Sequence, residues 1–371
     1  MTVSEYLKSM QTLHPEFADY WTAFEEYHNR RLWHQLTKKI EALVKTSGSN
    51  KIDLVTFYQK FVADFEGKLN PLSLVEIIVY IIKEMKKPEE TLAFLAKMKE
   101  KVKANQNASL LCSILMAQLK LNSKDLEGVK QIINEIGPVI DEQTGITPVH
   151  GRYFQLSSEY NQLMANHDEY YRNALRFLGC VKMEDEPTSE LERRAFALAL
   201  AALLGDSIFN FGELLQHPIV NHLRNENAWL LDLLHAFNAG DLEKFEALKS
   251  KWVNQPDLAI RELQLRKKIS LLCLMEMTFV SQDGVLTFEE IAKKTHIPQQ
   301  EVELLIMKAL SLGLVKGTID EVEKKVFLLW VQPRVLNKQQ ITSLRNKLDN
   351  WSKDVRKMEI LLEQKVQEII G

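Results

Sequence analysis

Residues 286–320, LTFEEIAKKTHIPQQEVELLIMKALSLGLVKGTID, hold two helical patterns, a turn between them and the start of a strand. Thr287 followed by Glu290 has the spacing of a capping box, in which each residue satisfies an end N–H of the other. A helix FEEIAKKT is therefore expected to start there. Ile297-Pro298 turns the chain, because the residue before a proline avoids helical geometry. A second helix, QQEVELLIMKALSLG, ends at Gly313, a residue suited to the left-handed conformation after a helix. LVKGTID and KKVFLLWVQ then read as a two-stranded wing joined by an acidic turn around Asp320 and Glu321. With the apolar helix Ser270–Phe279 in front, the order is that of a winged helix.

In a winged helix that reads DNA, the second helix carries cations and amides to base edges and phosphates. Here that helix offers Gln299, Gln300, Glu301, Glu303 and Lys308, with Val302, Leu305, Ile306, Ala309 and Leu310 as its core stripe. From Leu286 to Gly317 the acids Glu289, Glu290, Glu301 and Glu303 balance Lys293, Lys294, Lys308 and Lys316. Over the 371-residue chain Lys+Arg 47 stands against Asp+Glu 50, a net charge of -3. Affinity for nucleic acid comes largely from neutralised phosphates, so the module reads as a folding and docking unit. A nucleic-acid adaptor remains the alternative, as does an adaptor of some other complex.

Two apolar surfaces follow the helix-turn-helix. In KKVFLLWVQ, Val326, Leu328 and Trp330 alternate with Phe327, Leu329 and Val331, so both faces are apolar. An apolar edge strand normally finds a partner, and Val326, Leu328 and Trp330 are the candidate interface there. Beyond Pro333, residues Ile341, Leu344, Leu348, Trp351, Val355, Met358, Leu362 and Ile369 step by three and four, with Lys365 breaking the seam. A heptad stripe on one terminal helix cannot bury itself alone. Leu344, Leu348, Trp351, Val355, Met358 and Leu362 are the candidate contacts of a bundle with other chains, unless the helix folds back onto its own winged helix.

Upstream, most of the chain reads as helix. Asn70-Pro71 opens a stripe of Leu74, Ile77, Ile78, Ile81 and Ile82, the spacing of one helical face. RRAFALALAALLG is apolar almost all round and should be a central helix. PEETLAFLAKM, KDLEGVKQII, DEYYRNALRFL and GDLEKFEALK each begin polar and then place apolar groups three apart. Their unequal spacing suggests a degenerate, TPR-like helix-pair solenoid, although any amphipathic helix behind an acidic N-cap gives the same text. Turn-rich stretches at 46–50, 137–151, 182–190, 254–257 and 281–284 mark boundaries. The division they suggest is an N-terminal helical region (1–150), helical repeats (151–269), the winged helix (270–336) and a terminal helix (337–371).

The motifs of catalysis are missing. Neither a phosphate loop nor a dinucleotide fingerprint occurs, and there is no nucleophile elbow. His217 and His222 in HPIVNH are separated by a proline and do not share a helix face as paired metal ligands would; a satisfied structural histidine is the simpler reading. ERR at 192–194 and RKK at 266–268 read as solvated helix faces. Cys112, Cys180 and Cys273 are scattered through apolar text, which suggests buried thiols in a reducing compartment. Residues 1–20 carry Glu5, Lys8, His14, Glu16 and Asp19 and no apolar core, so no secretory signal is expected. The longest apolar run, Ala195–Leu204, is half of a membrane span. A soluble intracellular protein without catalytic, cofactor or metal site is the expectation, with neither nucleic acid nor membrane as partner.

Helical repeats, a winged helix and a terminal helix, in that order, resemble the PCI family. The strings LWHQLTKKI, NPLSLVEII, ALRFLGC, FNFGELLQHP, LLCLMEMTF, LTFEEIA, EVELLIMKALSLGLVKG and WVQPRVL resemble a proteasome lid member of that family. The resemblance runs from about Leu32 to the C-terminus and is weak before it. It implies a mainly α fold and a non-catalytic scaffold in the lid of the 19S regulatory particle, in cytoplasm and nucleus. The implied partners are other PCI lid subunits, the metalloprotease deubiquitinase pair and a ubiquitin receptor. No catalytic residues are implied.

Overall fold

A computed structural model describes residues 3–47, 53–85, 87–224, 227–281, 283–336 and 338–370. Parts of the boundaries expected at 46–50 and 281–284 lie outside the described residues. The chain forms two compact units, residues 1–165 with 172–181, and residues 166–171 with 182–371. Among the described residues, no helix is long and apolar enough to cross a membrane.

The first unit is built of helices α1 (Val3–Leu13), α2 (Ala18–Asn29), α3 (Trp33–Ser47), α4 (Pro71–Glu84), α5 (Pro88–Lys101), α6 (Gln106–Asn122), α7 (Leu126–Asp141) and α8 (Pro148–Leu163). Chain neighbours pack on each other from α1 to α3 and from α5 to α7, and α6 also receives α4 and α8. This is the stacking that a helical-repeat reading requires. Local chemistry starts the helices. The Asn70 side chain accepts from Leu72 N–H at 3.0 Å with Pro71 in the first turn, and the Asp125 carboxylate accepts from Gly128 N–H at 3.0 Å. Leu74, Ile77, Ile78 and Ile81 are buried as their spacing requires. Between α3 and α4, Phe57, Phe61 and Phe65 meet Trp21, Phe24 and Trp33 in an aromatic cluster.

Helix α9 (His167–Cys180) follows α8 in the chain. The second unit has α10 (Thr188–Leu204), α11 (Ala228–Ala239) and α12 (Glu262–Val280) as its long helices. Ala195, Leu198, Ala199, Ala201 and Ala202 of α10 are all buried, so the apolar run does form a central helix. The α11 helix ends at Gly240 in the left-handed region, φ 63°. Asp241 N–H donates to Ala236 O and Gly240 N–H to Phe237 O, the paired bonds of a Schellman motif. Glycine is needed here twice over, because a Cβ would stand 2.5 Å from the Cys273 Cα of α12.

The winged helix continues from α12. Strand β1 (Val285–Thr287) leads into α13 (Phe288–Thr295), α14 (Gln299–Ser311), β2 (Val315–Asp320) and β3 (Lys325–Val331). The expected capping box is present: Glu290 N–H donates to the Thr287 hydroxyl at 3.3 Å, and Thr287 N–H to the Glu290 carboxylate at 3.0 Å. Thr287→Ala should therefore cost about 1 kcal/mol, seen as a lower urea midpoint with an unchanged slope. An unchanged midpoint would show that the box carries no stability. Gly313 closes α14, at φ 68°, with Leu314 N–H on Ala309 O and Gly313 N–H on Leu310 O. The sheet order is β1-β3-β2, antiparallel throughout. A two-stranded wing was expected; the third strand, β1, is three residues long. Last comes α15 (Lys338–Ile370), 33 residues and so about 50 Å of helix.

Candidate functional site

Strand β3 is the centre of the sheet rather than its edge, because β1 pairs with it on one side and β2 on the other. Its inner face lies against α12, and α14 packs on β2 beside it. Val326 and Leu328 are consequently buried in this chain's own core. Of the three wing residues expected at an interface, only Trp330 reaches the surface, with Lys316 Nζ 4.9 Å from its ring centre. The alternation fails at a bulge: Lys316 pairs with Trp330 but Gly317 with Leu328, so Leu329 is the extra residue. A bulge re-aims the side chains around it. Leu329 is 85% exposed and Phe327 40%. The sheet has two edge strands, β1 and β2, and β2, with six residues, is the longer; among the described residues its outward backbone groups meet no strand.

The helix that would read bases in a DNA-binding winged helix is α14. Val302, Ile306 and Ala309 are buried, with Leu305 and Leu310 half-buried. Its open side shows Leu304 and Met307 beside Glu301 and Lys308. Such a face offers apolar contact and little to neutralise phosphates.

Helix α15 is fixed at its root by polar bonds to α12. The Arg334 guanidinium, just before it, donates to the Glu276 carboxylate at 2.6 Å and to Asn238 O at 3.2 Å. Gln340 donates to the same carboxylate at 3.1 Å. The Lys347 ammonium donates to Phe279 O at 3.0 Å and Ser281 O at 3.1 Å, closing the end of α12 with the charge that a helix C-terminus favours. The apolar stripe itself is left exposed. Ile341, Leu344, Leu348, Trp351, Val355, Met358 and Leu362 are all exposed, Trp351 at 67%. The side chain of Ile369 lies outside the described ones. So long an exposed apolar seam is uncommon on the surface of a monomeric protein.

One polar cluster was not legible as such. Lys268, in the run read as a solvated face, is 7% exposed. Its ammonium donates to Ala202 O at 2.7 Å, to Leu203 O at 3.2 Å and to Gly205 O. Arg261 donates to Leu204 O at 3.3 Å, and Gly205 N–H to Ala201 O. The carbonyls that every α-helix leaves open at its end are thus all met at the end of α10. Burial pulls the Lys268 pKa down to about 7, while Asp168 and Asp206 pull it back up. Asp168 accepts from Ser207 N–H at 2.9 Å and from the Ser207 hydroxyl at 2.8 Å. Burial raises its own pKa, but those bonds and the Lys268 charge outweigh burial and hold it below the usual carboxylate range. Leu265, Ile269 and Leu272 are buried at helical spacing around Lys268; that stripe is the signal that could have found it.

Nothing in these surfaces resembles a reaction centre. His217 uses its Nδ1 to accept from Ile219 N–H at 3.2 Å, a structural cap. Among the described residues no three His, Cys, Asp or Glu converge as metal ligands. Cys112 and Cys273 are buried free thiols, raised to about 11 chiefly by burial. Cys180 is only half-buried, a departure from the expected burial of all three.

Two family models cover most of the chain: the PSD13 N-terminal repeats match residues 20–234 and the PCI domain residues 239–330. The 26S proteasome non-ATPase regulatory subunit 13 homolog A of Arabidopsis thaliana is 33% identical over 385 aligned positions, 100% of both chains. That of Dictyostelium discoideum is 32% identical, covering 99% of this chain and 98% of its own. The 26S proteasome regulatory subunit RPN9 of Saccharomyces cerevisiae is 33% identical over 96% of this chain and 94% of its own. With whole-length identity above 30% and both family models in the expected order, the chain belongs to the family of the 26S proteasome non-ATPase regulatory subunit 13.

Proposed function

We propose that this protein is a non-catalytic scaffold of the proteasome regulatory particle lid, holding other PCI subunits in register for the degradation of ubiquitinated proteins. The observation that carries the reading is the exposed seam of α15 on a helix whose root is firmly bonded. A chain that spends so much apolar surface on solvent is unfinished without partners. The second contact is the wing: the open edge of β2, flanked by Leu329, Phe327 and Trp330. An edge strand with apolar neighbours suits lateral pairing with a sister winged helix. The interface residues are thus Leu344, Leu348, Trp351, Val355, Met358 and Leu362 on the terminal helix, with Trp330 and its neighbours on the wing. The work is geometric, and the metalloprotease deubiquitinase pair and a ubiquitin receptor are the components it would help to place, in cytoplasm and nucleus.

Native mass spectrometry of a tagged copy captured from its own cells tests this. The expected spectrum contains an assembly with other PCI subunits. Leu329→Arg, at a site exposed enough to leave folding alone, should reduce the yield of that assembly severalfold. A captured protein that is monomeric, with or without the substitution, refutes the scaffold reading.

A further inference from the structure

A cleft of about 350 Å³ opens where the end of α10 faces α12 and α14. Arg261, Lys267, Lys268 and Lys308 line it, against a single carboxylate, Asp206, with Leu312 at its rim. This concentration of cations is out of keeping with a chain of net charge -3. Other cations nearby are already paired: Arg266 with Glu246 at 2.9 Å, and Lys249 with Glu262. Lys267 and Lys308 are exposed and have no carboxylate in ion-pair range among the described residues. Beneath them Lys268 has its three donors on backbone carbonyls, so it makes no contact with a ligand. Apolar groups stand beside the charges: Leu312 is 41% exposed, and Leu263, one turn before Lys267 on α12, is 76% exposed.

Charge selects an anion, and size and rim select its kind. The cleft holds a few side chains and is far too small for a duplex, whose major groove alone is about 12 Å wide. Exposed leucines add nothing to phosphate binding, but they complement a peptide that mixes acidic and apolar residues. We propose that this cleft docks an acidic, leucine-bearing peptide segment of a partner protein, its carboxylates on Lys267, Lys308 and Arg261 and its apolar side chains on Leu312 and Leu263. The surface is separate from the α15 seam and the wing, so it goes beyond the scaffold reading and stands or falls without it.

The test uses the full chain and a fluorescein-labelled peptide of Asp-Glu-Leu-Leu repeats, followed by fluorescence anisotropy. Lys267→Glu with Lys308→Glu should weaken binding by about tenfold or more. Lys293→Glu with Lys294→Glu, on exposed positions of α13 outside the cleft, should leave it unchanged. A probe with serine for leucine should bind the wild-type chain more weakly. All four lysines are exposed, so both variants should keep the wild-type unfolding midpoint. Equal affinity in the Lys267/Lys308 variant, or an equal loss in the α13 variant, overturns the proposal. So does a duplex oligonucleotide that binds more tightly than the peptide and depends on the same two lysines.

Discussion

Lys268→Met is expected to lower the unfolding free energy of the second unit by about 3 kcal/mol, one of the largest effects of any single substitution outside its apolar core. Methionine keeps the length and the apolar stem and removes only the ammonium. Ala202 O, Leu203 O and Gly205 O would then lose their donor at the buried end of α10. Removing one side of a buried hydrogen-bonded set costs more than the bonds contribute on average, because the remaining groups stay desolvated. Opposing this, the ammonium itself is held in an unfavourable place, as its pKa near 7 shows. The pH dependence separates the two effects. An unfolded lysine titrates near 10.4, so between about 7 and that value the folded chain carries fewer protons than the unfolded one. Unfolding free energy should then rise as pH climbs through that window, since stability rises wherever the unfolded state binds more protons. In Lys268→Met this part of the slope should vanish. Urea unfolding at several pH values measures both. A variant as stable as wild type at neutral pH, with the slope unchanged, would mean that the three carbonyls are served by water and that Lys268 is not their anchor.

Lys268 also shows where a sequence stops being readable. Lys, Lys and Arg in a row look alike whether a helix face is wet or dry, and the difference lies in what the rest of the chain brings to it. Here the end of α10 arrives from residues 202–205 and makes the position buried. Short-range chemistry was more legible. Thr287 with Glu290, Gly313 after α14 and Asn70-Pro71 before α4 each act within one turn, so the residues name their own geometry. The sheet was half legible. Its two long strands have enough residues to show a pattern, but β1 has three and shows none, and without it β3 reads as an edge. The same gap misassigned Val326 and Leu328 to a partner. The bulge at Leu329 belongs to the pairing with Lys316 and Gly317, which no single strand displays. The terminal seam was legible because most of α15 beyond its root meets no other element among the described residues, so its period from Leu344 to Leu362 is undisturbed by tertiary packing.

Leu348→Glu with Val355→Glu should abolish incorporation of the protein into its assembly while leaving its own fold untouched. Both side chains are exposed on α15 and neither belongs to the core. Neither residue takes part in the root: Arg334, Gln340 and Lys347 keep their bonds to Glu276 and to the end of α12. In a bundle, each of these positions would bury about 1.5–3 kcal/mol of apolar side chain, and a carboxylate placed there adds the cost of an unpaired buried charge. A combined loss of about 5 kcal/mol corresponds to several thousandfold in affinity, enough to empty the complex at cellular concentrations. Cutting the chain after Leu336 is the blunter experiment, because it also removes Gln340 from Glu276 and Lys347 from the last carbonyls of α12. The point variants and the truncation therefore separate two roles. If both chains fold and neither is recovered with other subunits, the seam is the clasp. If the truncation alone fails, α15 serves only to close α12, and the apolar seam has no part in assembly. Co-purification with a tagged sister subunit, read beside the urea midpoint of each variant, distinguishes these results.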